Sequence, residues 1–362
     1  MGEPDGNSKQ IVLRALRGQP TPRAATGPLA VHYCARWADA SLADYTQNPR
    51  VLADSVLRYY EQFRPDAVWV SADTWVTAQA MGKPVAFPGP GQPLAGTPGR
   101  FIHSRADVDR IPPPDPSHQG RWPLMLEALG RVVEALGEEV FVVACFDQYP
   151  FSLACALMGI EQFMLALWDD RSLVEALLAR CEEYAVAYAI AMAEAGAAML
   201  SGGDSPAGLI GPQLYREVAL PAERRGIAAF KSRLSRPLSL HICGNATPIL
   251  ADMAASGADV LELDHQVDMA AACRIVGPQT ALWGNLDPVG LLARGSVEQV
   301  VAATDALLQT VEACGHRRFV LSSGCTLAVD TPPENLAAML DRARRHQPKQ
   351  QHFQPSEEHQ KP

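Results

Sequence analysis

The chain has 362 residues, of which 48% are apolar and 20% are charged, and its formal net charge is −9. This composition allows a large buried core and excludes a basic surface for nucleic acid or an anionic membrane. The polar start MGEPDGNSKQ differs from a secretion signal, and the eight cysteines of the chain therefore indicate reduced thiols. We expect a cytoplasmic protein whose partners are small molecules or other proteins.

Eight short apolar runs that end in polar residues alternate with long amphipathic helical patterns. The runs cover residues 28–34, 66–73, 139–147, 197–204, 237–245, 258–265, 280–287 and 318–325. For the first run an alternative is open, in which Pro28 to Trp37 form a loop that lines the mouth of the barrel. This alternation, without hairpin signals, is typical of a parallel (β/α)8 TIM barrel. We predict one α/β barrel domain over residues 1–345, including an N-terminal extension. A disordered tail is predicted over 346–362, where apolar residues are almost absent.

The fifth run ends in LHICGN, which places His241 and Cys243 two residues apart. In a strand, residues i and i+2 point to the same face, so these two side chains share a direction. A core histidine beside a small buried cysteine explains the same pattern. The last run ends at Cys325, which a closed barrel brings to the same rim. Imidazole and thiolate donors suit zinc, and three protein ligands would leave one coordination position open.

The chain resembles the uroporphyrinogen decarboxylase fold family from about Leu16 to Arg345. The stretches that carry the resemblance are FRPDAVWVSADTWVTAQAMG, YPFSLACALMGIEQFMLALWDD, GGDSPAGLIGPQLYREVALP and VLSSGCTLAVDTPPENLAAML. Within that family, LHICGNATPIL, ELDHQVD and WGNLDP are most similar to the zinc-dependent methylcobamide:coenzyme M methyltransferase branch. The resemblance implies that His241, Cys243 and Cys325 bind zinc. It also implies methyl transfer between a corrinoid, carried on a corrinoid protein, and a thiol or related acceptor.

Five further residues at predicted strand ends are candidates for the site. Asp73 matches the aspartate that orients the pyrrole substrate in the decarboxylases, although a structural role explains it equally well. Glu262 is the preferred temporary zinc ligand, while Asp264 is an alternative ligand or a group that orients His241. Asp204 either binds substrate or cofactor or caps the helix that follows Pro206. Asn285, in the GN pair of WGNLDP, is a candidate contact with the corrinoid.

Two departures from the decarboxylases favour methyl transfer. Their arginine-rich segment, which grips propionate groups, corresponds here to AVHYCARWADA, with Arg36 as its one arginine. Cys325 stands where they carry a histidine. Two alternatives remain open at this point: a metal-free decarboxylase that uses Asp73, and a corrinoid-handling protein without turnover.

Overall fold

The computed structural model describes residues 6–88, 91–96 and 101–348 of the chain. The strands are β1 (Ala67–Val70), β2 (Val85–Ala86), β3 (Leu94–Ala95), β4 (Phe141–Gln148), β5 (Met199–Gly203), β6 (Leu238–Ile242), β7 (Val260–Leu263), β8 (Ala281–Leu286) and β9 (Phe319–Ser323). The helices are α1 (Ser8–Leu16), α2 (Leu42–Gln47), α3 (Pro49–Phe63), α4 (Val76–Ala80), α5 (Arg105–Asp109), α6 (Trp122–Leu136), α7 (Pro150–Met158), α8 (Ile160–Asp169), α9 (Arg171–Glu194), α10 (Gly211–Leu214), α11 (Leu220–Lys231), α12 (Leu250–Ala254), α13 (Met269–Val276), α14 (Val297–Ala313) and α15 (Pro333–Arg345). Short 3₁₀ turns lie at His32–Ala38, Ser205–Leu209 and Thr247–Ile249, and a π turn lies at Tyr215–Ala219.

Seven of the strands form one curled parallel sheet in the order β1, β4, β5, β6, β7, β8, β9. These seven strands correspond to the last seven predicted runs. Strands β2 and β3 pair separately as a short antiparallel hairpin, which the sequence did not indicate. The architecture is therefore an α/β fold with a curled parallel sheet.

The prediction of a first strand at 28–34 is wrong. Pro28 has no backbone N–H to give to a neighbouring strand, and a 3₁₀ turn begins at His32. The side chain of Tyr33 in that turn packs edge-on against Trp37 and Tyr59 rather than inside a sheet. The burial of these rings against α3 explains the apolar signal that resembled a strand.

The segment just before that turn lies between the first and last strands of the sheet. Thr26 forms a parallel bridge with Leu321 on β9, and its carbonyl oxygen accepts a 2.9 Å hydrogen bond from the N–H of Ala67 on β1. Gly27 donates its N–H to Leu321 and accepts from the indole of Trp283, at 2.9 and 2.7 Å. This short extended segment therefore contacts both edges of the seven-stranded sheet.

Gly27→Ala is expected to lower the free energy of unfolding by about 1–3 kcal/mol, the usual cost of overpacking a core. A Cβ atom at Gly27 would lie 2.1 Å from Cζ2 of Trp283, whose ring is fully buried and has no room to move. Urea unfolding checks this value. Gly130→Ala, in α6, is the control, because no atom of the described residues lies within 4 Å of a Cβ atom there. Equal losses in both variants would contradict the packing of Gly27 on Trp283.

Alternate strand residues divide the core into two parts. Side chains such as Trp69, Val143 and Trp283 point inside the curled sheet, where Ile11 and Val12 of α1 pack against them. The opposite strand faces pack against the surrounding helices in a larger cluster. Because α1 also contacts β4 and β9, it closes the N-terminal end of the sheet. The carboxyl ends of the strands carry the polar candidate residues.

The end of the chain is only partly within the described residues. His346, predicted to begin the tail, accepts a 3.2 Å hydrogen bond at its carbonyl oxygen from Ala24, and its Nε2 lies 3.0 Å from Glu312. Residues 349–362 of the predicted tail lie outside the described residues. In the described ranges no single helix is long and apolar enough to cross a membrane. Helices α7 and α8 meet that length and composition only as a pair, bent by 106°.

Candidate metal centre

Three soft or borderline donors meet at the carboxyl end of the sheet. His241 is on β6, Cys243 follows the end of that strand, and Cys325 follows β9. The Sγ atom of Cys243 lies 2.9 Å from Nε2 of His241 and 3.8 Å from Sγ of Cys325. All three donor atoms lie within 4.8 Å of one another. Because β7 and β8 separate β6 from β9, the curl of the sheet is what brings Cys325 to the other two.

The ring of His241 is held by the backbone of the neighbouring strand. Its Nδ1 lies 2.9 Å from the backbone carbonyl oxygen of Glu262 on β7, and this contact is buried. The backbone of Glu262, and not the carboxylate of Asp264, is therefore the group that orients the imidazole. When the imidazole is neutral, with its proton on Nδ1, the lone pair of Nε2 is directed at the two thiols, as metal-binding histidines require; a bound metal would displace the second proton.

The three groups alter the pKa values of one another. Burial lowers the pKa of His241, but its hydrogen bond and charge interaction with Cys325 outweigh burial and raise the value to about 9. A hydrogen bond with Cys325 lowers the pKa of the Cys243 thiol to about 7, whereas that bond and burial raise the pKa of Cys325 to about 12. Cys243 therefore loses its proton near neutral pH, as a metal ligand must. The donor set of one imidazole and two thiols fits zinc.

Glu262 lies on the strand next to His241 and is almost fully buried. Its Oε1 accepts hydrogen bonds from the hydroxyl groups of Ser201, at 2.8 Å, and Ser239. Burial raises the pKa of this carboxyl group. In the described part of the chain, the group of residues that could hold a metal ion consists of His241, Cys243 and Cys325 and does not include Glu262. The two serines thus hold the carboxyl group inside the sheet, beside the cluster.

Asp73, near the end of β1, is one half of a buried ion pair. Its carboxylate accepts hydrogen bonds from both terminal guanidinium nitrogens of Arg121, at 2.5 and 3.0 Å, and each of the two residues is at most 7% exposed. Arg121 also donates to the side chain of Gln79 and the carbonyl oxygen of Thr46. The sequence did not reveal Arg121, because it stands alone before α6, 48 residues after its partner. The carboxylate joins β1 to the start of α6.

Two other aspartates at strand ends hold helix N-termini. Asp204, which follows β5, accepts a 2.6 Å hydrogen bond from the backbone N–H of Ser152 in the first turn of α7. Asp147, on β4, accepts bonds from the N–H and hydroxyl groups of Thr77 in the first turn of α4. Each carboxylate therefore caps the helix that follows the preceding strand of the sheet. Asp204 does not cap the helix after Pro206, and it is fully buried.

The Asp204 carboxyl group also lies against a second buried acid. Glu223 on α11 is fully buried, and its Oε2 accepts a 2.6 Å hydrogen bond from the hydroxyl group of Tyr215. Burial is the main cause that raises the pKa of each carboxyl group, and the charge of Asp204 raises that of Glu223 further. The folded protein therefore favours a protonated acid at this position.

Glu223→Gln is expected to flatten the dependence of stability on pH. A carboxyl group with a raised folded pKa stabilises the protein fully below its unfolded pKa of about 4.3, and this contribution is lost as pH rises through the folded pKa. Between about pH 5 and 6, the free energy of unfolding should fall with rising pH less steeply in the variant than in the unaltered protein. The expected difference between the two slopes is about 1.4 kcal/mol per pH unit. Urea unfolding at stepped pH measures this slope. The exposed Glu61→Gln serves as control, and equal slopes in both variants would contradict the assignment.

Asn285, on β8, shapes the loop after β7. Its side-chain N–H groups donate to the carbonyl oxygens of Asp264 and Val267, at 3.0 and 2.8 Å. His265, in the same loop, lies 3.1 Å from the Asp264 carboxylate and 3.8 Å from that of Asp287. Both amide hydrogens of Asn285 are thus used within the protein, which leaves its carbonyl oxygen for any contact with a ligand.

A sequence model of the Uroporphyrinogen decarboxylase (URO-D) family matches residues 7–346. The chain belongs to the uroporphyrinogen decarboxylase family. The family membership predicted from the sequence is confirmed, and known members of the URO-D family similar to this chain are enzymes of two kinds.

Relatives of both kinds match at similar levels. Methylcobamide:CoM methyltransferase MtbA of Methanosarcina acetivorans is 34% identical over 229 residues, which cover 63% of this chain and 65% of MtbA. Uroporphyrinogen decarboxylase of Picosynechococcus sp. is 28% identical over 346 residues, which cover 92% of this chain and 95% of the decarboxylase. A solved structure, described as a methyltransferase from Methanosarcina mazei, gives a TM-score of 0.83 at 26% identity over 93% of this chain and 98% of the solved chain.

Proposed function

We propose that this protein is a zinc-dependent methyltransferase that moves a methyl group between a corrinoid and a thiol or related acceptor. The observation that carries the proposal is the cluster of His241, Cys243 and Cys325, whose donor atoms lie within 4.8 Å of one another. The similarity to a methyltransferase structure over nearly the whole of both chains supports it. A metal-free decarboxylase has no evident use for two thiols and an oriented imidazole at the end of the sheet.

The three residues of the cluster would hold the metal, with the carbonyl oxygen of Glu262 fixing the ring of His241. Zinc bound there would supply positive charge that keeps an acceptor thiol deprotonated near neutral pH. In the transfer, sulfur forms the bond to the methyl carbon, and the cobalt–carbon bond breaks with its electron pair left on cobalt. The thiol proton passes to solvent. The same steps in reverse would methylate the corrinoid.

Other parts of the chain have supporting roles in this proposal. Glu262, held by Ser201 and Ser239, is the carboxyl group available to act as a temporary ligand when the acceptor is absent. The carbonyl oxygen of Asn285 is the part of that side chain able to contact a corrinoid. The buried Asp204 stabilises the carboxyl end of the sheet by capping α7. A corrinoid protein would deliver the methylcobamide to the open carboxyl end of the sheet.

We also propose that residues 25–27 complete a closed (β/α)8 barrel in place of an eighth strand.

The alternative is a decarboxylase that acts through Asp73 without a metal. Its support is the near-complete coverage by relatives named uroporphyrinogen decarboxylase. Against it, Asp73 is 6% exposed, and its carboxylate already accepts hydrogen bonds from buried Arg121 and from the backbone N–H of Trp75, which leaves little of it accessible to a pyrrole. A binding protein without turnover would share the cluster and differ only in activity.

One experiment separates these functions. The purified protein is assayed for metal content, and methylcobalamin is then mixed with it and a panel of thiols while the methyl–cobalt absorption is followed. About one zinc per chain and a thiol-dependent loss of that absorption are expected, both removed by a chelator. A metal-free protein that decarboxylates uroporphyrinogen would overturn the proposal. Bound zinc without any turnover would favour the binding protein.

A further inference from the structure

The inner face of the sheet carries an unusual row of residues beside the metal cluster. Gln148 on β4 pairs in register with Gly203 on β5, and Gly203 pairs with His241 on β6. Register partners on parallel strands point to the same face. Because His241 points to the cluster inside the sheet, Gly203 and Gln148 belong to the same inner row.

An irregularity in β4 places Gln148 on this face. Cys145 pairs with Ser201, whose hydroxyl group bonds to Glu262 inside the sheet, so Cys145 also faces inwards. Simple alternation would turn Gln148, three residues later, outwards. The register shifts between Cys145 and Gln148, and Asp147 takes a φ of 70° there. Such bulges often redirect a side chain next to an active site.

Gly203 leaves an open slot between Gln148 and His241. Among the described residues, a Cβ atom at Gly203 would lie within 4 Å of only the carbonyl oxygens of Asp147, at 3.7 Å, and His241, at 3.9 Å. Neighbouring strands are about 4.8 Å apart, so Gln148 and His241, on the two outer strands of the row, are about 10 Å apart, and Gly203 between them has no side chain. The slot has the width of a small molecule, and one of its walls is a proposed metal ligand.

The side-chain oxygen of Gln148 has no partner within the described residues. Its Oε1 is buried, and no hydrogen bond reaches it. Leaving a buried acceptor unsatisfied costs about 1–3 kcal/mol, so nearly all such groups in folded proteins have a partner. A ligand that donates a hydrogen bond would remove this cost.

Resting on the proposed methyl transfer, we infer that Gln148 and Gly203 form the subsite for the small methyl acceptor beside His241. The acceptor class is a short thiol that carries a hydrogen-bond donor, a hydroxyl or an amino group. Gln148 accepts the hydrogen bond from that group, and Gly203 provides the space. Gln148 is thus a specificity-determining residue, whereas the cluster supplies the reactive position.

The test compares 2-mercaptoethanol with 1-propanethiol, a thiol of similar size that lacks the donor, as acceptors from methylcobalamin. In the unaltered protein, kcat/KM should favour 2-mercaptoethanol by about tenfold, the value of one hydrogen bond. Gln148→Leu should reduce this ratio to about one and leave the zinc content unchanged. Gly203→Ala should raise KM for 2-mercaptoethanol, since the added methyl group fits the fold but narrows the slot.

The matched controls are Gln62→Leu, at an exposed position of α3, and Gly130→Ala in α6. Both should keep the tenfold preference. If zinc-dependent transfer is present but Gln148→Leu keeps the ratio of the unaltered protein, the subsite is overturned and the proposed function stands. The subsite would also be overturned if both the unaltered protein and Gln148→Leu preferred 2-mercaptoethanesulfonate to 2-mercaptoethanol as the acceptor. If there is neither zinc nor methyl transfer, the proposed function fails, and the subsite fails with it.

Discussion

Cys325→Ala is expected to lose bound zinc and to lower methyl transfer by more than about 100-fold. Removing a group that merely hydrogen-bonds to a metal ligand costs about 10- to 100-fold, and loss of the ligand itself costs more. His241→Ala and Cys243→Ala should behave in the same way, because all three donors lie within 4.8 Å. Metal analysis and the methylcobalamin assay measure the two effects.

The fold should survive these substitutions. The three residues lie at the end of a sheet whose two large apolar clusters do not depend on them, so far-UV circular dichroism should remain native. Cys314→Ala, at an exposed cysteine outside the cluster, is the matched control and should keep zinc and activity. Full activity in Cys243→Ala and Cys325→Ala would rule out a zinc methyltransferase.

Asp73→Ala is expected to lower the free energy of unfolding by about 3–5 kcal/mol, the usual cost of removing one partner of a buried ion pair. The guanidinium of Arg121 would remain buried without its carboxylate, since both residues are at most 7% exposed. Zinc content should not change, because Asp73 lies outside the metal cluster. Urea unfolding and metal analysis check the two statements.

A second substitution identifies the cause of this loss. In Asp73→Ala combined with Arg121→Met, no buried charge is left unpaired, so the double variant should recover most of the lost stability. Asp109→Ala breaks the exposed pair with Arg105 and should have no measurable effect. If Asp73→Ala were as stable as the unaltered protein but lost all activity, Asp73 would be a catalytic residue and the decarboxylase would be favoured.

Much of the candidate metal centre could be predicted from the sequence, because its geometry depends on local rules. His241 and Cys243 are two apart in a strand, so they point the same way in any sheet. The alternation of apolar runs and helical patterns predicted a parallel sheet, whose strands all end at one edge and bring Cys325 there. Seven of the eight predicted strands are present. The failure at 28–34 has a local cause too, since buried aromatic residues of a 3₁₀ turn give the same apolar signal as a strand.

The functions of the acidic residues at the strand ends depended on distant partners. The sequence places Asp73, Asp204 and Glu262 at similar positions, and nothing near them distinguishes a free carboxylate from a bonded one. Their partners lie 48, 52 and 61 residues away, at Arg121, Ser152 and Ser201. Hydrogen bonds of this kind are specified by the packing of helices on strands, which no local pattern encodes.

The sequence by itself thus determined the family, the parallel sheet and the direction of the His241 and Cys243 side chains. Tertiary structure decided which polar groups are free to act. The clearest case is Gln148: alternation along β4 turns it away from the site, and the shift in register after Cys145 turns it inwards, next to Gly203. The physical reason is that alternation is a property of one regular strand, whereas register is set between strands, by hydrogen bonds to a neighbour far along the chain.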